Sequence, residues 1–243
     1  MNSQISKKSL KISTHSLLIA LALGWAGLPA LAAEQSFLVA EKLDPQRLLP
    51  PPPTDPLELA EDLAVVKRVI AARTPQRLAA AQWDDDHEDA SLYGATLGPG
   101  FDLAALPATA ELLTIVKREA SQAGKTAKAV FARNRPWAVD PAIVSICDPN
   151  DKPATSYPSG HGMLGYATAL VLVELLPNRA QAILARAQDY GFSRVVCGSH
   201  FPSDLRASAM LSTYLVDHLL QDAEFQVKLE AARVELQAAK LTL

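Results

Sequence analysis

Cysteine is scarce in this chain: Cys147 and Cys197 are the only two in 243 residues. With so few thiols, and with the histidines outside two motifs scattered, the sequence offers no metal cage of the zinc type. Basic residues form no stripe, and a formal charge of −3 leaves no electrostatic footprint for nucleic acid. Strand signals are confined to short runs such as Ile143 to Ile146, which argues against a sheet and for an all-α fold. The most apolar internal run, Met163 to Leu176, contains Glu174 and falls short of the ~20 residues of a membrane span, so it reads as a buried core helix. No internal repeat and no low-complexity tail is present.

The N-terminus has the apolar length that the interior lacks. Lys7, Lys8 and Lys11 precede a stretch from Leu17 to Leu31 that closes on Ala30-Leu31-Ala32. This order predicts an export signal, residues 1–32, cleaved after Ala32, with an uncleaved membrane anchor as the alternative. Pro29 and the small residues Ala30 and Ala32 favour cleavage, and no cysteine stands near for lipid attachment. Removing residues 1–32 takes away three lysines and no acids, so −3 becomes −6. An anionic ligand must then find a local cluster of cations in an acidic body. The expectation is a periplasmic or secreted protein of about 210 residues, a length that suits one domain. In an oxidising compartment two cysteines pair by default, closing a loop worth on the order of 4 kcal/mol under the chain-entropy model. Two buried free thiols are the alternative.

Residues 33–54 read as an extended lead-in that ends in Leu48-Leu49 and Pro50 to Pro53, which cannot be helical. Residues 55–243 read as one helical domain. Asp55-Pro56-Leu57-Glu58 has the form of a helix start, with Leu59, Leu63, Val66 and Ile70 along one face. Leu112, Ile115, Val116 and Glu119 lie along another helix, and Asn178 to Tyr190 reads as one capped by Asn178 and stopped by Gly191. Between Ser203 and Leu219, the residues Ala207, Met210, Leu211, Tyr214, Leu215 and His218 share a face. A last amphipathic stretch begins near Asp222. The apolar faces of the terminal helices permit a homo-oligomer without requiring one.

Three motifs carry the chemistry. Lys128 is followed after six residues by Arg135-Pro136; then comes Pro158-Ser159-Gly160-His161; last is Ser193-Arg194, five residues, His200, three residues, Asp204. A lysine and an arginine seven apart are weak evidence alone, being usually solvated charges. Proline, serine and glycine before a histidine describe a turn into a helix whose free amides bind anions. Asp204 sits about one helical turn after His200, placed to accept the hydrogen of one ring nitrogen and leave the other to attack. Together the motifs supply a nucleophilic imidazole, a carboxylate that sets its tautomer, a second imidazole for proton transfer, and cations for a phosphate. Arg135 and Arg194 offer planar forks, whereas Lys128 offers a point charge. Three such cations do the electrostatic work that a metal pair does elsewhere, so no cofactor is expected.

In motif order, in spacing, and in local wording such as LLPPPP, SYPSGH and SRVVCGSH, the chain resembles the bacterial class A non-specific acid phosphatases. These belong to the phosphatidic acid phosphatase type 2 and vanadium haloperoxidase superfamily. The resemblance runs from Leu48 to Leu236 and implies a compact all-α bundle. It implies that His200 is the nucleophile, that Asp204 orients it, and that His161 protonates the leaving oxygen and later activates water. Lys128, Arg135 and Arg194 would hold the phosphate oxygens, aided by the Ser159 hydroxyl and the Gly160 amide. The activity implied is metal-independent hydrolysis of small phosphomonoesters, inhibited by vanadate, with a bell-shaped acid profile set by neutral His200 and protonated His161. Two departures stand out. Gly162 follows His161 where the family commonly has threonine, and Asp204 is followed by Leu-Arg-Ala-Ser where a glycine is usual a few residues on.

Other groups read blandly. His218 reads as a packed core histidine, and the run Asp84 to Asp89, with His87 inside it, as a solvated loop rather than a cation site. Trp83, Tyr93 and Trp137 read as core or interface residues rather than a leaving-group pocket. Two rival functions keep part of the constellation. A vanadate-dependent haloperoxidase would use the same pocket, and a non-enzymatic phosphate-binding protein would need the cations but not His200, Asp204 and His161 together.

Overall fold

Three proline-led starts shape the first helices of the computed structural model, which describes residues 43–147 and 152–242. Asp44 accepts the Gln46 amide and opens a single turn, α1 (Pro45–Leu48). Asp55 accepts the Leu57 and Glu58 amides at the head of α2 (Pro56–Ala72), and Thr74 accepts the Arg77 amide at the head of α3 (Pro75–Asp86). Proline at the first helical position has no amide to orphan, and the short side-chain oxygen satisfies those that follow. Among the described residues the lead-in is broken by α1 rather than extended throughout, and Leu49 to Thr54 run free of helix. The expected signal, residues 1–32, and the first part of the lead-in lie outside the described residues.

A 3-10 turn at Ala90–Tyr93 and the single turn α4 (Gly94–Leu97) lead into the long α5 (Pro107–Phe131) and the single turn α6 (Pro136–Val139). Then follow α7 (Gly160–Leu175), α8 (Ala180–Val196), α9 (Pro202–Leu220) and α10 (Ala223–Ala238). The fold is all-α: no strand forms among the described residues, and Ile143 to Ile146 is coil whose Ile146 amide donates to the Cys197 carbonyl. Helix α7 buries Met163, Leu164, Ala167, Val171, Leu172 and Leu175, and it packs against α5, α8 and α9. A helix without a polar face has to be enclosed. Helix α10 covers α5, where Glu235 accepts the Ala108 and Thr109 amides at 2.9 and 2.8 Å. No described helix is long and apolar enough to cross a membrane.

Two helix readings are corrected. Helix α8 starts at Ala180 after a 3-10 turn at Pro177–Arg179, and it runs straight through Gly191 to Val196. The stop is Gly198, at φ 75°, with the Gly198 amide on the Val195 carbonyl and the Ser199 amide on the Arg194 carbonyl. A Cβ there would be strained by the left-handed backbone and would meet Ile143 Cγ2 at 3.1 Å. On α9 the buried face carries Ser208 and Ser212, while Met210 is 49% exposed and His218 is only half-buried rather than packed in the core. These hydroxyls bind carbonyls of the α7 segment, Ser208 at Ser159 (2.9 Å) and Ser212 at Met163 (3.1 Å), so small polar residues face the core where apolar ones were expected. Cys147 and Cys197 are joined, their Cα atoms 5.4 Å apart, which ties the coil after α6 to the end of α8.

Candidate active site

The left-handed turn at Gly198 reverses the chain, so the Ser199 and His200 amides both return to the Arg194 carbonyl. His200 is thereby set against the start of α9, where its Nδ1 lies 3.2 Å from Asp204 Oδ2. Its Nε2 lies 3.3 Å from Arg135 Nη1. A guanidinium only donates, so Nε2 is bare and the ring proton sits on Nδ1, facing the carboxylate. Burial first, then the charges of Arg135, Lys128 and Arg194, hold His200 well below the ordinary histidine range. Both effects favour the neutral ring.

Asp204 lies in the first turn of α9 and is fully buried. Its Oδ2 accepts the Ser156 hydroxyl at 2.6 Å and the Phe201 amide at 2.8 Å, and its Oδ1 accepts Arg133 Nη1 at 2.6 Å. Arg133 is itself buried: Nη2 reaches Asp62 Oδ2 of α2 at 2.9 Å, and the guanidinium lies 4.0 Å from the centre of the Phe201 ring. Burial pushes the Asp204 carboxyl up from its usual range, and Arg133, Ser156 and Phe201 pull against that rise. Arg133, Asp62 and Ser156 were not among the residues read from the sequence. The one available signal for Arg133 was a second arginine two positions before Arg135.

Lys128 in the last turn of α5 and Arg135 just before α6 converge on Thr155. Lys128 Nζ donates to the Thr155 carbonyl, and Arg135 Nε donates to Oγ1 at 3.3 Å. Ala132, at φ 43°, makes the turn that carries the chain from α5 to Arg133 and Arg135. Arg194, 1% exposed, donates from Nη1 to Asp85, and its Nε has no hydrogen-bond partner among the described residues. Ser159 caps α7 by accepting the Gly162 amide at 3.2 Å, Gly160 is the first residue of that helix, and His161 the second. His161 Nε2 lies 3.2 Å from Glu88 Oε1 and 3.6 Å from Asp85 Oδ1. Burial, then the charge of Arg194, hold His161 well below the ordinary histidine range. Glu88 is 60% exposed, so solvent screens its opposing pull. The charges of Lys128, Arg135 and Arg194 all bear on His200, and those of Arg135 and Arg194 on His161, so the cations of the three motifs are brought to one place.

The acidic run is a solvated loop only in its second part, where Glu88 and Asp89 are exposed and outside the helix. Helix α3 continues to Asp86, Asp84 is 2% exposed and accepts from Arg186 and the Ser193 hydroxyl, and Asp85 pairs with Arg194. Arginines of α8 neutralise these carboxylates from a distant part of the chain. His87 stacks on Trp83 with ring centres 3.8 Å apart. Tyr93 is buried with its hydroxyl on the Gly165 carbonyl, and Trp137 packs beside Val66 and Phe201. None of these aromatics lines the 220 Å³ cavity that opens beside His161, Lys128 and Glu88.

The two sequence departures touch each other. A Cβ on Gly162 would lie 2.7 Å from Ser208 Oγ. The Ser208 hydroxyl occupies that space, within hydrogen-bond distance of the Asp204 carbonyl (2.8 Å) and the Ser159 carbonyl (2.9 Å). The side chain missing at 162 is thus matched by one present at 208.

Residues 103–226 match the PAP2 superfamily. The chain is 37% identical over 207 residues to an acid phosphatase of Zymomonas mobilis, covering 81% of this chain and 77% of that one. It is 32% identical over 210 residues to a non-specific acid phosphatase of Providencia stuartii, covering 83% and 84%. A non-specific acid phosphatase of Salmonella typhimurium is 31% identical over 205 residues, with 81% of each chain covered. With motif order, helical fold and these relatives in agreement, the chain belongs to the PAP2 superfamily, alongside its non-specific acid phosphatases.

Proposed function

We propose that the chain is an exported acid phosphatase that hydrolyses small phosphate monoesters of broad structure through a phosphohistidine on His200, without a metal ion. Membership of its family makes it a phosphatase. The observation that carries the mechanism is the bare Nε2 of a neutral, buried His200 held by Asp204. Nε2 attacks phosphorus while the bond to the leaving oxygen breaks, and Asp204 stabilises the imidazolium through Nδ1–H. Lys128, Arg135 and Arg194, with the Ser159 hydroxyl and the Gly160 amide, hold the three remaining oxygens. Nε of Arg194, unpartnered and buried, suits a phosphate oxygen that displaces Asp85. His161 gives its proton to the leaving oxygen, then takes one from the water that attacks phosphorus and breaks the N–P bond. Three cations about one phosphate compensate its charge and repel a divalent ion, which supports metal independence. Export is supported by Lys7, Lys8 and Lys11 ahead of an apolar stretch ending at Ala32, and by a disulfide, which persists in oxidising compartments.

The test is para-nitrophenyl phosphate turnover at acid pH in excess chelator, with a rapid alkaline quench that traps labelled phosphate on protein. Full turnover under chelator, inhibition by vanadate, and label present in wild type but absent from His200→Ala are expected. Label retained in His200→Ala would remove the nucleophile, and activity lost to the chelator would remove metal independence.

A further inference from the structure

The cavity beside His161 has a chemical character of its own. Its floor is Ala120, Gly124 and Leu164, and its α5 wall carries Lys117, Ser121 and Lys125 in line with Lys128. Positions 117, 121, 125 and 128 follow one another at four-four-three spacing, so they share one face of α5. At 1.5 Å per residue the lysines are staged along that face: Lys125 about 4.5 Å and Lys117 about 16 Å along the axis from Lys128. Among the described residues neither Lys117 nor Lys125 makes an ion pair. The opposite wall contributes one carboxylate, Glu88, which is turned onto His161 Nε2. Three ammonium groups and one carboxylate line it, and Asp89 lies near enough to feel Lys117, which leaves a local excess of positive charge on a chain whose formal charge is −3.

If Lys128 holds the transferred phosphate and His161 protonates the leaving oxygen, as in the mechanism above on which this inference rests, the leaving group enters this cavity. At 220 Å³ the space is smaller than the ~300–1,000 Å³ typical of drug-sized ligands and suits a sugar ring or a short polyol. We propose that Lys117 and Lys125 form a second anion subsite that selects phosphomonoesters whose leaving group carries another phosphate, such as sugar or polyol bisphosphates. One phosphate is transferred to His200. The other stays on the released alcohol, held by the two outer lysines while His161 supplies the proton.

The experiment compares wild type with Lys117→Ala/Lys125→Ala on fructose 1,6-bisphosphate, fructose 6-phosphate and para-nitrophenyl phosphate. An exposed charge pair worth up to about 1 kcal/mol is about fivefold. The double variant is therefore expected to raise KM for the bisphosphate about five- to twentyfold, with kcat/KM for para-nitrophenyl phosphate kept within twofold. Lys117→Arg/Lys125→Arg should retain the wild-type preference, and raising salt should erase it in wild type. A bisphosphate-to-monophosphate ratio unchanged by the double alanine variant would overturn the subsite while leaving the phosphatase reading intact. Absence of para-nitrophenyl phosphate turnover in wild type would overturn both.

Discussion

Arg133 touches no substrate in the mechanism above, yet its removal is expected to disable the site. In Arg133→Met a buried cation is lost from between two buried carboxylates, Asp204 and Asp62, whose Oδ atoms it holds at 2.6 and 2.9 Å. Breaking a buried pair from one side costs about 3–5 kcal/mol. At about 2–4 °C per kcal/mol for a domain of this size, the melting temperature should fall by about 6–20 °C. The chemical effect is separate. Burial already raises the Asp204 pKa and Arg133 opposes that rise, so without the cation the acid becomes weaker still. Below its raised pKa Asp204 is protonated and cannot accept the Nδ1 hydrogen of His200. The acid limb of the kcat profile should therefore move to higher pH, with kcat in acid down by about a hundredfold and partly recovered on raising pH. Adding Asp62→Asn removes one uncompensated charge and should restore stability without restoring the profile. Calorimetry and a kcat–pH series on the three proteins test this. An Arg133→Met enzyme with an unshifted profile would refute the positioning role, even if it melted early.

Three further outcomes follow from other contacts. Gly162→Thr should lose at least tenfold in kcat because its Cβ meets Ser208, whereas Gly162→Thr/Ser208→Gly should recover most of it; additive losses in that cycle would contradict the reciprocal fit. Ala132→Gly relieves a left-handed alanine at φ 43°, and thermal denaturation should show a gain of about 1 kcal/mol, with no gain meaning that the turn is unstrained. Vanadate binding near neutral pH should take up a proton, because burial and the charge of Arg194 favour neutral His161 until an anion offsets that charge. Titration calorimetry in buffers of different ionisation enthalpy reads that uptake directly, and an enthalpy independent of buffer would count against it.

That the two histidines, Asp204 and the three motif cations would gather in one place was legible because the pattern is local: a histidine one turn before an aspartate, a Ser-Gly turn opening a helix, cations at fixed offsets. The buried helix at Met163 to Leu176 was legible because a long apolar run admits few other fates. Arg133 was not, because its partners Asp62 and Asp204 lie about 70 residues away on either side, and a charge in coil beside Arg135 has no periodicity to mark it. Asp84 and Asp85 misled for the same reason, since the arginines that draw them inward stand on α8. Glycine at Gly191 suggests a helix stop, but a glycine stop works through positive φ, which Gly198 has and Gly191 has not. The buried stripe of α9 was misplaced because a serine bonded to a neighbouring carbonyl can face a core as well as a leucine can.

Three charged groups of the site stand on helix termini of matching polarity, while Arg135 stands at the head of the single turn α6. Lys128 and Arg194 occupy the last turns of α5 and α8, where unpaired carbonyls carry partial negative charge, and Asp204 occupies the first turn of α9, where unpaired amides carry partial positive charge. His161 sits at the amide end of α7, which disfavours its protonated form until an anion arrives. The backbone field therefore steadies Lys128, Arg194 and Asp204 in their charged forms and opposes the proton that the proposed mechanism has His161 gain and lose. In the proposed mechanism a phosphate would meet an electrostatic frame whose orientation is set by the packing of whole helices, not by the flexibility of the side chains that complete it.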